Sequence, residues 1–123
     1  MLDTHVALWA LTAPEKLRQS IRVLIEDPRT TVSVSAASVW EVAIKRASGK
    51  LESQPNFASI CIDRGFEPLA ITFDHAELAG RLPQHHADPF DRMLIAQATA
   101  EDLELVSQDR VFERYDVRLL IAK

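Results

Sequence analysis

The sequence predicts an α/β fold, with a central, mainly parallel sheet of about four to five strands flanked by helices. Short β-branched runs alternate with stretches of helical periodicity from one end of the chain to the other. Strands separated by helices need crossover connections, which set neighbouring strands parallel and cover both faces of the sheet. No repeat, low-complexity tract or shift in composition divides the 123 residues. One domain over 1–123 is therefore expected, long enough to bury a proper core.

The elements follow in order. "MLD" is the end of a strand, and "THVALWAL" a short helix apolar on nearly all sides, hence buried. "APEKLRQSIRVLIED" is one amphipathic helix, with Leu17, Ile21, Leu24 and Ile25 at helical spacing and Pro14 near its start. "TTVSVS" alternates and is β-branched, which marks a strand. "AASVWEVAIKRAS" is a helix ended by Gly49, "KLESQPN" a loop, and "FASICIDR" a helix stopped by Gly65. In "FEPLAI", Pro68 cannot donate to a ladder, so this strand belongs at an edge or begins there. "TFDHAELAGRL" is a helix, "PQHHADP" a loop and "FDRMLIAQATAEDL" a helix. The strand "ELVS", a helical turn at "RVFERY" and the strand "VRLLI" complete the chain.

Composition narrows the function classes. No apolar run approaches the roughly 18 residues of a membrane span. "MLDTHVALWAL" carries Asp3 and His5 and has neither a basic leader nor a small-residue cleavage site, so it does not resemble a signal peptide. The single cysteine, Cys61 in "FASICI", excludes an internal disulfide, suits a cytoplasmic protein and fits a small buried hydrophobe. With 14 Lys and Arg against 18 Asp and Glu, the net charge of −4 argues against holding nucleic acid by bulk charge. A local basic rim around an acidic cleft, or a basic partner, stays compatible with it.

Chemistry in such a fold belongs beyond the C-terminal strand ends, where loops lead into helices. Asp3 and Asp109 each follow a strand and precede a helix, where capping is the ordinary role. Asp88 fits an N-cap, Pro89 the first helical position and Asp91 the third, each such carboxylate contributing about 0.3–1 kcal/mol through the helix dipole. Helical phase separates the last two acids. Leu94, Ile95 and Ala98 stand at i+3, i+4 and i+7 from Asp91, so Asp91 heads the stripe that faces the core.

On the helix that carries Glu41, the apolar Val39, Trp40, Ala43 and Ala47 share one side and Ser38, Glu41, Lys45 and Ser48 the other. Periodicity alone therefore leaves Glu41 and Lys45 as a solvated i,i+4 pair. Trp9 and Trp40 are expected in the core, and His85 and His86 as exposed loop residues rather than zinc ligands. Converging carboxylates raise one another's pKa values unless a cation lies between them, and oxygen donors without a cysteine cluster suit Mg²⁺ or Mn²⁺. H-E-x-x-H, CxxC, G-x-S-x-G and Gly-rich phosphate loops are all missing from the sequence.

Four segments, in order, carry a specific resemblance: "LDTHVALW" at Leu2–Trp9, "SAASVWEVAIKRASGKL" at Ser35–Leu51, "DPFDRMLIAQA" at Asp88–Ala98 and "SQD" at Ser107–Asp109. Together they resemble the PIN-domain ribonucleases and, within them, the VapC-type toxins of bacterial toxin–antitoxin systems. The resemblance implies a PIN-like fold whose acids bind Mg²⁺ or Mn²⁺ and cleave RNA. Residue by residue, Asp3, Glu41, Asp91 and Asp109 match the family's acids as metal ligands and catalytic groups, with Glu41 as ligand or water-orienting base and Asp88 as a flanking acid. Lys45, Arg92 and Arg110 stand beside the acids, either to contact the RNA backbone or to neutralise the acids by salt bridges.

One departure stands out. Only Met1 and Leu2 precede Asp3, whereas the family usually has a longer first strand. The partners implied are RNA, a cognate antitoxin whose C-terminal segment covers the cleft, and a second copy of the chain. The rival reading is a catalytically weak PIN-like module that acts mainly by binding a partner protein. A metal-dependent phosphatase is weaker still, because the DxDx[TV] nucleophile motif of one large phosphatase class is missing.

Overall fold

A computed structural model describes residues 1–52 and 55–123. The helices are α1 (Thr4–Thr12), α2 (Gln19–Glu26), α3 (Ala36–Ala47), α4 (Phe57–Asp63), α5 (Phe73–Arg81) and α6 (Pro89–Ala100). The strands are β1 (Ser33–Ser35), β2 (Glu67–Leu69), β3 (Leu105–Ser107) and β4 (Leu119–Ile121), with 3₁₀ turns at Pro14–Lys16 and Arg110–Arg114. β1 pairs with β2 and β3 with β4, both parallel. Leu2 joins the two pairs through parallel bridges to Val34 and Val106. The order across the sheet is β2–β1–Leu2–β3–β4, and β2 lies at an edge, where Pro68 costs no inner ladder bond.

The expected strand at "MLD" is thus present in its shortest form. Leu2 N–H donates to Ser33 O at 3.0 Å, Asp3 N–H to Val106 O at 2.9 Å and Val106 N–H to Met1 O at 2.8 Å. Strand alternation then divides the core. Leu2, Val34 and Val106 face a cluster with Val6, Ala10, Ile21, Val42, Phe57 and Phe66. Met1 and Leu105 face the other cluster, with Leu94, Ile95, Ala98, Phe112 and Tyr115. Asp3 and Ser107, one residue beyond Leu2 and Val106, fall on this second face.

Three expectations on the fold are corrected. The helix over "APEKLRQSIRVLIED" is two pieces, because Leu17 and Arg18 are extended. Leu17 is 3% exposed, Arg18 N–H donates to Ala122 O at 2.8 Å, and its guanidinium reaches Lys123 O at 2.9 Å. Tertiary anchoring to the chain end outweighs helix propensity there. Trp40 is not core but 62% exposed, edge-on to Phe90 at 5.3 Å between centroids. Trp9 is only half-buried, with Lys16 and Lys123 ammonium groups 5.8 and 5.7 Å from its ring centroid. Gly49 and Gly65 end α3 and α4 at φ +74° and +81°, as their sequence positions predict. The predicted loop over "KLESQPN" includes Ser53 and Gln54, which lie outside the described residues.

Cys61 is buried between α4 and the sheet, and burial pushes its thiol up to about 11. A thiol-specific reagent at pH 8 should therefore label the native protein at least about 100-fold more slowly than the urea-unfolded chain. Equal rates in a stopped-flow absorbance assay would contradict this burial.

Candidate active site

The C-terminal ends of the central strands meet the starts of α1, α6 and the second 3₁₀ turn. Asp3, Glu41, Lys45, His86, Asp88, Asp91 and Asp109 line a cleft of about 280 Å³ there, together with Thr4, His5, Gln108 and Phe112. All four matched acids, with the flanking Asp88, are brought together.

Asp3 caps α1, its Oδ1 accepting from Val6 N–H at 2.8 Å. Its Oδ2 accepts a short hydrogen bond from the Ser107 hydroxyl, whose oxygen in turn receives Asp109 N–H at 3.0 Å. Strand phase makes this pairing, since Asp3 and Ser107 extend neighbouring rows on one sheet face. Burial raises the Asp3 pKa above the usual carboxylate range, and the hydrogen bonds from Ser107 and Val6 oppose that rise.

Asp88 caps α6 with its Oδ1, which accepts from Phe90 N–H at 2.9 Å and Asp91 N–H at 3.2 Å. Asp91, in the first turn, is pushed up to about 6, first by burial and then by the Asp88 charge, against the hydrogen bond from His86. Asp109 caps the 3₁₀ turn, its Oδ1 accepting from Val111 N–H at 2.9 Å, and stays exposed.

Glu41 overturns the periodicity argument. It is 5% exposed, because Ala37, Ser38, Glu41 and Val42 form the buried stripe of α3 while Trp40 and Ile44 face out. Glu41 Oε1 accepts from the Thr4 hydroxyl at 2.6 Å, and Lys45 Nζ donates to its Oε2 at 2.6 Å. Thr4 Oγ1 also lies 3.0 Å from Ser38 Oγ. A polar partner on α1 therefore meets the polar stripe of α3. The pair with Glu41 raises the Lys45 pKa, so Lys45 partly neutralises the cleft.

The two arginines are placed elsewhere. Arg92 is 9% exposed and turns away from the cleft. Its guanidinium donates to Ala79 O at 2.9 Å, Leu82 O at 3.0 Å, Pro83 O at 2.9 Å and His86 O at 3.4 Å, closing off the carbonyls at the end of α5. Arg110 pairs with Glu113 at 2.7 Å on the surface. Neither meets the acids of the cleft.

His86, expected as an exposed loop residue, is half-buried with Nε2 2.7 Å from Asp91 Oδ2. Only His85 is exposed as expected. The signal available in sequence was the spacing of five between His86 and Asp91 across a helix start, which no helical periodicity argument reaches. Single donor atoms of His86, Asp91 and Asp109 lie within 4.8 Å of one another, a spacing that suits a cation. The donor set is mostly carboxylate oxygen, two of the acids have raised pKa values, and one lysine offsets them. That composition fits a hard divalent ion.

Fold and site together define an α/β protein with an acidic cleft at the C-terminal edge of a parallel sheet. The PIN domain family matches residues 1–118, and the chain belongs to that family. Ribonuclease VapC16 of Mycobacterium tuberculosis is 41% identical over 64 residues, a match spanning 49% of this chain and 44% of that protein. The matched region is thus less than half the length of that curated relative. A chain in the crystal structure of VapBC2 from Rickettsia felis bound to a DNA fragment from their promoter superposes with a TM-score of 0.72 at 17% identity. The superposition covers 100% of this chain and 98% of that one, so the fold is shared throughout. Among the described residues, no helix is long and apolar enough to cross a membrane.

Two expected outcomes follow from this geometry. Replacing Arg92 by Met orphans several carbonyls at once and should cost about 2–4 kcal/mol in urea denaturation. A loss under about 0.5 kcal/mol would show those hydrogen bonds to be dispensable. Asp91 has a folded pKa above its unfolded value, so the folded state binds more protons and its stability falls as pH rises from about 4 through 6. In EDTA, Asp91→Asn should therefore be the more stable protein at pH 8, by about 1–2 kcal/mol after allowance for partial exposure, with the gap closing by pH 4. Thermal unfolding across that range measures it, and a gap that widens toward low pH would contradict the assignment.

Proposed function

We propose that the chain is a metal-dependent endoribonuclease, cleaving phosphodiester bonds in RNA as the toxin of a toxin–antitoxin pair. The observation that carries this reading is the convergence of Asp3, Glu41, Asp91 and Asp109, from four separate segments, in one cleft. Buried carboxylates with raised pKa values are a standing cost to the fold, and a bound cation offsets it. The names of the relatives, a ribonuclease VapC and a VapBC complex, support the same reading.

In this mechanism Asp91 and Asp109 would hold a divalent ion, Mg²⁺ or Mn²⁺, with Asp3 in the adjoining wall. Such an ion, when bound, polarises the scissile phosphate and lowers the pKa of the attacking water. Glu41 orients that water through the oxygen now shared with Lys45. Of the three cations that stand beside the acids in sequence, Lys45 lines the cleft, and its ammonium balances the charge of acids and phosphate together. Thr4 and Ser107 fix the carboxylate rotamers of Glu41 and Asp3. Asp88 shapes the helix start and contributes charge at the cleft wall.

A partner-binding role accompanies this one. Trp40 and Ile44, 62% and 42% exposed, stand with Phe90 beside the cleft. An antitoxin segment with apolar residues on that patch and a basic side chain among the acids would block access. The fully presented Phe73, 91% exposed, adds apolar surface suited to pairing with a second copy.

Purified protein should cut RNA with Mn²⁺ or Mg²⁺ and lose that activity in EDTA. Asp3→Asn, Glu41→Gln and Asp91→Asn should each lower the rate by about 100-fold or more. Expression of the wild type should arrest growth, and coexpression of the cognate antitoxin should relieve it. Undiminished cleavage by Asp91→Asn in a preparation free of other nucleases would sink the nuclease reading, and tight antitoxin binding without cleavage would favour the binding module.

A further inference from the structure

The cleft holds a nitrogen donor that a site built of carboxylates alone does not require. His86 Nε2 lies 2.7 Å from Asp91 Oδ2, and donor atoms of His86, Asp91 and Asp109 all lie within 4.8 Å of one another. An octahedral ion with bonds of about 2.1 Å sets neighbouring ligands about 3 Å apart and opposite ones about 4.2 Å apart. The His86–Asp91 pair is near the spacing of neighbouring ligands, and atoms at most 4.8 Å apart need close by only about 0.6 Å to reach that of opposite ones. We propose that His86 is a direct ligand of the divalent ion in this cleft, through Nε2, and that it biases the site toward Mn²⁺ over Mg²⁺. This rests on the metal-dependent reading above and names a ligand that the matched acids do not include.

The main chain that carries the imidazole is braced, and the ring itself packs on Phe112. The Tyr115 hydroxyl accepts His86 N–H at 2.9 Å and His85 N–H at 3.2 Å, and donates to Pro83 O at 2.9 Å. Arg92 also donates to Pro83 O and His86 O. Phe112 meets the ring edge-on at 6.2 Å. A loop that merely connected α5 to α6 would need none of this bracing. Rigid support of a donor is what a ligand requires, since the cost of ordering it is met before the ion arrives.

The bias follows from donor chemistry. Mg²⁺ favours oxygen ligands and gives up water reluctantly, whereas first-row transition ions accept imidazole readily. Ligation through Nε2 would need the ring proton on Nδ1, so the Nε2 hydrogen bond to Asp91 would give way to an ion shared by the two side chains.

Pulsed EPR on the Mn²⁺-loaded full chain tests the proposal without reference to activity. Wild type should show ¹⁴N coupling to Mn²⁺ that His85→Asn and His5→Asn retain and His86→Asn loses. Calorimetry should show Mn²⁺ affinity falling about tenfold or more in His86→Asn, with Mg²⁺ affinity changing less. His86→Asp, which exchanges nitrogen for oxygen, should still bind while narrowing the Mn²⁺ to Mg²⁺ ratio. Wild type that binds Mn²⁺ through Asp91 with no nitrogen coupling overturns the ligand role and leaves the metal-dependent reading intact. Failure to bind Mn²⁺ in any Asp91-dependent way overturns both.

Discussion

The arrangement hangs on a single residue of sheet. Leu2 bridges Val34 on one side and Val106 on the other, and without it the molecule holds two separate pairs of strands. Its flanking hydrogen bonds fix Asp3 at one height above both neighbours. From that height the Asp3 carboxylate reaches Ser107 across one strand, and Thr4 reaches Glu41 on the helix that follows the other. A strand this short has little ladder of its own, so burial must hold it. Met1 and Leu2 are 8% and 2% exposed, one in each half of the core, and the Met1 ammonium donates to Glu104 O at 2.7 Å.

The same geometry makes the cleft expensive. Asp3 and Asp91 lose hydration on burial, and neighbouring charges add repulsion, from Asp88 and Asp3 at Asp91 and from Glu41 at Asp3. Compensation in the protein itself is partial: Lys45 serves Glu41, and hydrogen bonds from Ser107 and His86 serve the two aspartates. Arg92, the cation adjacent to Asp91 in sequence, is spent on main-chain carbonyls. Arg92 thus fixes the loop that carries His86 and leaves the acids of the cleft without its charge.

Much of this was legible in the chain, and the failures share a cause. The alternation of elements gave the α/β class, Pro68 the edge strand, and the phase of Asp91 with Leu94, Ile95 and Ala98 a carboxylate at the head of a buried stripe. Glu41 was not legible from periodicity, because its helix buries a polar stripe and exposes Trp40 and Ile44. Hydrophobic phase assumes that apolar residues face inward, and it inverts where a helix packs against a polar neighbour such as Thr4. The resemblance to known motifs supplied what phase did not. His86, Arg92 and the break at Leu17–Arg18 are each settled by a partner distant in space: Asp91 across a helix start, the carbonyls ending α5, and the chain end at Ala122 and Lys123. Local pattern carries no information about such partners.

Capping does not use up the aspartates of the cleft. Asp3, Asp88 and Asp109 each use Oδ1 to receive N–H groups at the start of a helical segment. A carboxylate has two oxygens, so a cap made through one leaves the other for a neighbour or a ligand. The cap also locks the side-chain rotamer, which removes much of the entropic cost of ordering a ligand. Two of the helices that begin here, α1 and α6, bring the positive ends of their dipoles toward the cleft, which lowers the cost of gathering negative charge. Asp91 differs because it is in the first turn of α6 rather than at its cap, and its Oδ2 is bound to His86 instead of the backbone. Of the four aspartates that line the cleft, the one freed from capping is the one that meets an imidazole, so the helix start at "DPFD" carries a capping acid and, three residues on, one turned to a side-chain partner.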